Sequence, residues 1–136
     1  MNLAELAEST IERLGERKSM VFNGKEYTNL QQFDYSRSLH TAFYDIGVKK
    51  GTNIVLYLMN DPLIYPVFGG IFRTGGTAIP VMFLLAAPEV RYILKDSKAE
   101  GFITDSLNLD KIRELLYLEE KIIRKPQSRN FHLKLF

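Results

Sequence analysis

The alternation of short apolar runs with helical stretches from Val48 onward constrains this chain more than any other feature. "NIVLYL" is a continuous apolar run of strand length, the pattern of a strand buried on both faces. Asp61-Pro62 reads as a cap followed by proline at the first helical position, opening a helix to about Arg73, with Pro66 kinking rather than breaking it. "TAIPVMF" is the next strand. Pro88-Glu89 opens a helix whose Val90, Ile93 and Leu94 face inward, "GFIT" is another strand, and "LDKIRELLYLEEKI" reads as a last helix. Strand, helix, strand, helix, strand predicts parallel βαβ units with right-handed crossovers.

Ahead of this region Leu3, Leu6, Ala7, Ile11 and Leu14 fall at helical spacing, with Gly15 as the stop. "SMVFNGKEYT" predicts a tight hairpin about Asn23-Gly24, because both turn positions tolerate positive φ. Thr28 and Gln31 form a capping-box pattern before a helix with Leu30, Phe33, Leu39, Phe43 and Ile46 on its apolar face and Gly47 at its end. The expected fold is therefore α/β: a partial parallel sheet flanked by helices, with an N-terminal helix and a small β-hairpin.

The 136 residues amount to one domain's worth of chain, 46% hydrophobic and 25% charged, which is an ordinary soluble balance. A net charge of +2 gives no sign of nucleic acid or an anionic membrane as partner. Without cysteine there are no disulfides, thiolate metal sites or cysteine nucleophiles, which fits a cytoplasmic protein. The start "MNLAELAEST" lacks the pattern of a signal peptide, and the greasiest runs fall short of the roughly 20 residues of a spanning helix. The ending "RKPQSRNFHLKLF" is basic through Arg124, Lys125, Arg129 and Lys134, and alternates like an edge strand.

The glycines meet phosphate-binding patterns only in part. Gly70 and Gly75 have P-loop spacing, and Thr77 follows, but Gly76 stands where the phosphate-binding lysine is needed. A dinucleotide fingerprint lies between a strand and a following helix, whereas these glycines follow a helix and precede a strand. Gly75 and Gly76 are read as a helix stop and turn. Gly69-Gly70 sits mid-helix, where each glycine costs about 1 kcal/mol against alanine, and points to close approach of that helix to a neighbour.

His40 and His132 have no second ligand at metal spacing. Serines 9, 19, 36, 38, 97, 106 and 128 lie in no nucleophile elbow, Asp96/Glu100 and Glu119/Glu120 read as solvated helix ends, and the seven tyrosines are scattered. No catalytic, cofactor-binding or metal-ligating residue is assigned.

Several blocks, in order and at the right spacing, resemble the opening of the adenylate-forming acyl-CoA synthetase superfamily, and fatty-acid CoA ligases in particular. They are Tyr27-Thr28-Asn29-Leu30, Ile46-Gly47-Val48 with Gly51 and Asn60, "GGIFRTGGTAIPV" with Arg73-Thr74-Gly75 in place of Lys-Ala-Gly, and "APEVRYILKDSKAEGFITD" through Glu89, Tyr92, Leu94, Asp96, Ser97, Ala99 and Thr104. The resemblance implies that residues 1–105 are the N-terminal part of a synthetase large domain and 106–136 a helix with a divergent tail. For the full-length family it implies ATP, Mg²⁺ and coenzyme A: a carboxylic acid is converted to an acyl-adenylate and then a thioester.

The family's phosphate loop, its Mg²⁺-binding acid and its lid lysine match no segment of these 136 residues. The chain alone is thus expected to be inactive and to need no cofactor. The ending is expected to reflect a shortened reading frame, a gene remnant or a deliberate cut. A partial sheet leaves an open edge, so the expected partner is a second copy or the remainder of the synthetase, with neither nucleic acid nor an integral membrane involved. Two other readings stand beside this one: a non-catalytic module that binds or self-associates on the same scaffold, and an unrelated small nucleotide-binding α/β protein.

Overall fold

The structure is a computed structural model that describes residues 2–117 and 131–135. Its elements run α1 (Leu3–Leu14), β1 (Lys18–Phe22), β2 (Lys25–Thr28), α2 (Asn29–Asp45), β3 (Asn53–Tyr57), α3 (Ile64–Thr74), β4 (Thr77–Val81), α4 (Ala87–Asp96), β5 (Gly101–Asp105), α5 (Ser106–Tyr117) and β6 (Phe131–Leu135). The chain forms two compact units, one of residues 1–50 and 60–76, the other of residues 51–59 and 77–136.

The first unit holds the hairpin and three helices. Asn23 (φ 49°) and Gly24 (φ 76°) both take positive φ in the β1–β2 turn, as the Asn-Gly dipeptide predicts. The capping box at Thr28 is present: the Gln31 N–H donates to Thr28 Oγ1 (3.2 Å) and the Thr28 N–H to Gln31 Oε1 (3.1 Å). A second box, not foreseen, starts α1, where Asn2 Oδ1 accepts from the N–H groups of Ala4 (2.9 Å) and Glu5 (3.0 Å), and Glu5 Oε2 accepts from the Asn2 N–H (3.0 Å).

The periodic residues of α1 are not its buried face. Ala4 is the buried residue, while Leu3 and Leu6 remain 62% and 48% exposed. In α2 the buried residues are Ser36, Leu39 and Phe43, so the apolar positions Leu30, Phe33 and Ile46 sit at its boundary. The reason lies on α3. A Cβ added at Gly69 would stand 2.7 Å from Ser36 Cβ, and one at Gly70 would stand 2.9 Å from both Leu39 Cβ and Phe43 Cε2. Close helix approach is what the paired glycines provide, and it selects a small residue at position 36.

α3 begins two residues later than Asp61-Pro62 predicts. Asp61 instead holds a turn: its Oδ1 accepts from the Leu63 N–H (2.8 Å) and its carbonyl from the Ile64 N–H (3.1 Å). Pro66 then falls in the first helical turn, where its missing N–H costs no intrahelical bond. Gly75, at φ 78°, ends the helix in the left-handed conformation, and the Gly76 N–H donates to the Ile71 carbonyl (3.1 Å). The glycine pair is a stop and turn.

The second unit is a four-stranded sheet in the order β4-β3-β5-β6, with β3 parallel to β4 and to β5, and β6 antiparallel to β5. The edge-strand pattern at the end of the sequence is realised in β6, whereas Arg124, Lys125, Arg129, Glu119 and Glu120 lie outside the described residues. Ile54, Val55, Leu56 and Tyr57 are all buried, as the unbroken apolar run of β3 predicts. Val55, Tyr57, Val90, Phe102 and Ile112 form the core, with Ile93 and Leu94 packed against it. α5 starts at Ser106, earlier than Leu109, directly after β5. No helix among the described residues is long and apolar enough to cross a membrane.

Candidate functional site

In an open parallel sheet, ligands gather at the carboxyl ends of the strands, where neighbouring connections leave in opposite directions. β3 is followed in sequence by β4, its neighbour on one side, and β5 by β6, on the other. The place to look is therefore the carboxyl edge between β3 and β5.

Asp105, the last residue of β5, occupies that place. Its Oδ2 accepts from the Met59 N–H (2.7 Å) just beyond β3 and from Asn108 Nδ2 (3.0 Å). Its Oδ1 accepts from the Asn108 N–H (2.8 Å) in the first turn of α5. One carboxylate thus joins the two strand ends and caps the helix. Beneath it the buried Thr104 hydroxyl donates to the Tyr57 carbonyl (3.0 Å).

The adjoining β4–α4 turn is also internally satisfied. The Tyr57 hydroxyl lies 2.8 Å from the Phe83 carbonyl and 2.7 Å from that of Leu85. Lys111 Nζ also donates to the Phe83 carbonyl (3.0 Å). At the start of α4 the Ala86 N–H donates to Glu89 Oε2 (2.7 Å).

A helix N-terminus holds phosphate through free N–H groups and a favourable dipole. The starts of α4 and α5 each carry a carboxylate of the chain itself, Glu89 and Asp105, and in the first unit Asp61 does the same for the turn leading into α3. Each of these acids accepts from one N–H at its turn, that of Ala86, Asn108 or Leu63, and places negative charge where a phosphate held by a helix start would sit. The residues present do not fit the phosphates of ATP or coenzyme A at these turns. For Mg²⁺, no group of three or more His, Asp or Glu side chains among the described residues is clustered to hold a metal ion. His40 packs near Tyr44 in α2, with ring centroids 6.4 Å apart, and Asp96 and Glu100 are exposed.

Asp105 is the residue that reading the sequence did not single out. Its signal was present, since an acid at the end of a strand and three residues before Asn108 has the spacing of a helix cap.

The family described as "AMP-binding enzyme" matches residues 7–132. The chain belongs to that family. The match runs past Asp105, where the blocks legible by eye stop. The chain is similar to a crotonobetaine/carnitine–CoA ligase of Citrobacter koseri, 25% identical over 129 residues that cover 90% of this chain and 25% of the relative. It is also similar to a medium/long-chain-fatty-acid–CoA/3-oxocholest-4-en-26-oate–CoA ligase of Mycobacterium tuberculosis, 26% identical over 116 residues, 85% of this chain and 21% of the relative. In fold it matches the inhibitor-bound N-terminal domain of FACL13 from Mycobacterium tuberculosis, with a TM-score of 0.77 and 20% identity over 88% of this chain and 30% of that one. The chain thus spans about a quarter or less of the length of these curated relatives.

Proposed function

We propose that these 136 residues are an N-terminal scaffold segment of an ATP-dependent, adenylate-forming acyl-CoA ligase acting on an apolar carboxylic acid, and that by themselves they do not form an acyl-adenylate. Membership of the AMP-binding family and the relatives' names support the first part. The second rests on one observation, the carboxylates of Glu89 and Asp105 seated on the helix starts at the carboxyl edge of the sheet. Adenylyl transfer depends on cations and hydrogen-bond donors placed against phosphate charge, and these turns present the opposite sign. ATP, Mg²⁺ and coenzyme A belong in this proposal to the complete ligase, whose location we take to be the cytoplasm. Residues 1–105 supply the first part of its large domain, followed by a helix and a tail through 136.

The test is exchange of labelled pyrophosphate into ATP by the isolated chain, with acetate, decanoate and carnitine offered in turn. No carboxylate-dependent exchange is expected, and exchange above the no-acid control would overturn the claim of inactivity. Coding sequence beside this chain that lacks any Ser/Thr/Gly-rich phosphate loop would overturn the scaffold-segment reading.

A second reading, association with another copy or with the rest of a ligase, is favoured by the position of β4. Among the described residues it pairs with β3 on one side only and so offers an open edge. Pro80 in the middle of that strand limits how many ladder bonds an added strand could make. Sedimentation as a concentration-independent monomer would rule out self-association.

A further inference from the structure

The first unit contains an apolar cavity. It has a volume of about 440 Å³, within the range of small-molecule sites, and lies among α1, the hairpin, α2 and α3. Leu6, Ala7, Ile11, Met20 and Phe72 give it apolar walls, and Arg73 and Ser36 provide polar groups.

Arg73 gives the cavity its chemical character. Its side chain is only 15% exposed, and its guanidinium stacks over the Phe33 ring with Cζ 4.4 Å from the centroid. Nε donates to Ser36 Oγ (3.3 Å), while Ser36 Oγ donates in turn to the Phe33 carbonyl (2.7 Å). These contacts fix the plane of the guanidinium through one edge. The outer nitrogens are less well served: among the described residues the acidic group paired with them is Glu8, at 4.0 Å from Nη1, beyond hydrogen-bond reach. Glu8 is itself 47% exposed and free to turn to water. A largely buried guanidinium whose outer nitrogens meet, among the described residues, only this 4.0 Å ion pair, beside an apolar hollow, suits an anionic head on an apolar body.

We infer that this cavity is a binding site for a small amphipathic anion, with the carboxylate or sulfonate head on Arg73 and the apolar body along Ala7, Ile11, Met20 and Phe72. Glu8 is the competing internal anion. Binding displaces its carboxylate, so Arg73 and Glu8 act on affinity with opposite signs. The site lies wholly within the first unit and is independent of the adenylation reading.

Decyl sulfonate, which has no carboxylate to be activated, is the probe, and decanol its uncharged counterpart. Each is titrated into the 136-residue chain by calorimetry and by amide NMR, below the sulfonate's micelle concentration and with no ATP. The expected result is one saturable sulfonate site with shifts centred on Ala7, Met20 and Phe72, and weaker decanol binding. Arg73→Met weakens sulfonate about tenfold, the loss of a charge-assisted pair, and leaves decanol unchanged. Glu8→Gln strengthens sulfonate, and as a substitution on a half-exposed side chain it keeps the test intact if Arg73→Met unfolds. Equal affinity for sulfonate and decanol, an unchanged or weakened affinity in Glu8→Gln, shifts centred elsewhere, or no binding would each overturn the assignment.

Discussion

Gly69→Ala tests the contact around which the first unit is built. The added methyl would lie 2.7 Å from Ser36 Cβ and 3.1 Å from Ser36 Oγ. Carbon atoms settle at about 3.5–4.0 Å, so the intrusion is close to 1 Å. Ser36 Cβ is fixed to its backbone and cannot rotate aside, so α2 must shift along the line where Leu39 and Phe43 meet Gly70. Overpacking of this kind costs about 1–3 kcal/mol, and an immovable Cβ places the cost near the upper end. Alanine returns about 1 kcal/mol of helix propensity. The net expectation is a loss of about 2 kcal/mol in urea unfolding, with faster amide exchange in α2 and α3 than in the second unit. Adding Ser36→Gly removes the clashing atom, so the double-mutant cycle should show a favourable coupling of about 1 kcal/mol or more. Gly69→Ala as stable as the parent chain, or additive with Ser36→Gly, would refute the reasoning.

Three further substitutions probe the second unit and the caps. Asp105→Ala leaves the N–H groups of Met59 and Asn108 without their acceptor and should cost about 1–3 kcal/mol, with those two amides losing exchange protection. Tyr57→Phe removes the hydroxyl that ties β3 to the β4–α4 turn and should cost about 1 kcal/mol in the same unfolding assay. Thr28→Ala removes the side-chain half of the α2 capping box and should cost about 1 kcal/mol, with fraying confined by amide exchange to the first turn of α2.

What the sequence disclosed follows the range of each interaction. The hairpin, the Thr28 cap, the stops at Gly15, Gly47 and Gly75 and the parallel strand run all rest on neighbours within a few residues, and each is found where the local pattern places it. Gly69-Gly70 announced a close approach but not its partner. Ser36 lies 33 positions earlier and only the packed helices bring it to the glycines, so its burial in α2 could not be read from periodicity. The α1 helix was legible from its spacing, but spacing marks which residues share a side, not whether anything covers them, and Leu3 and Leu6 stay largely exposed. The start of α3 was missed because Asp61 has two local uses, helix cap or turn, and the sequence does not choose between them. At the carboxyl edge of the sheet, the absence of glycine-rich turns was legible, but that acids occupy those helix starts required the folded chain.

The central claim is that these turns are filled by the chain's own carboxylates and do not hold a nucleotide. Titration of Mg²⁺–ATP into the chain, followed through the amide resonances of Leu63, Ala86 and Asn108, addresses it directly. The account predicts no saturable shift at any of the three. Saturable shifts at these amides with micromolar affinity would contradict it.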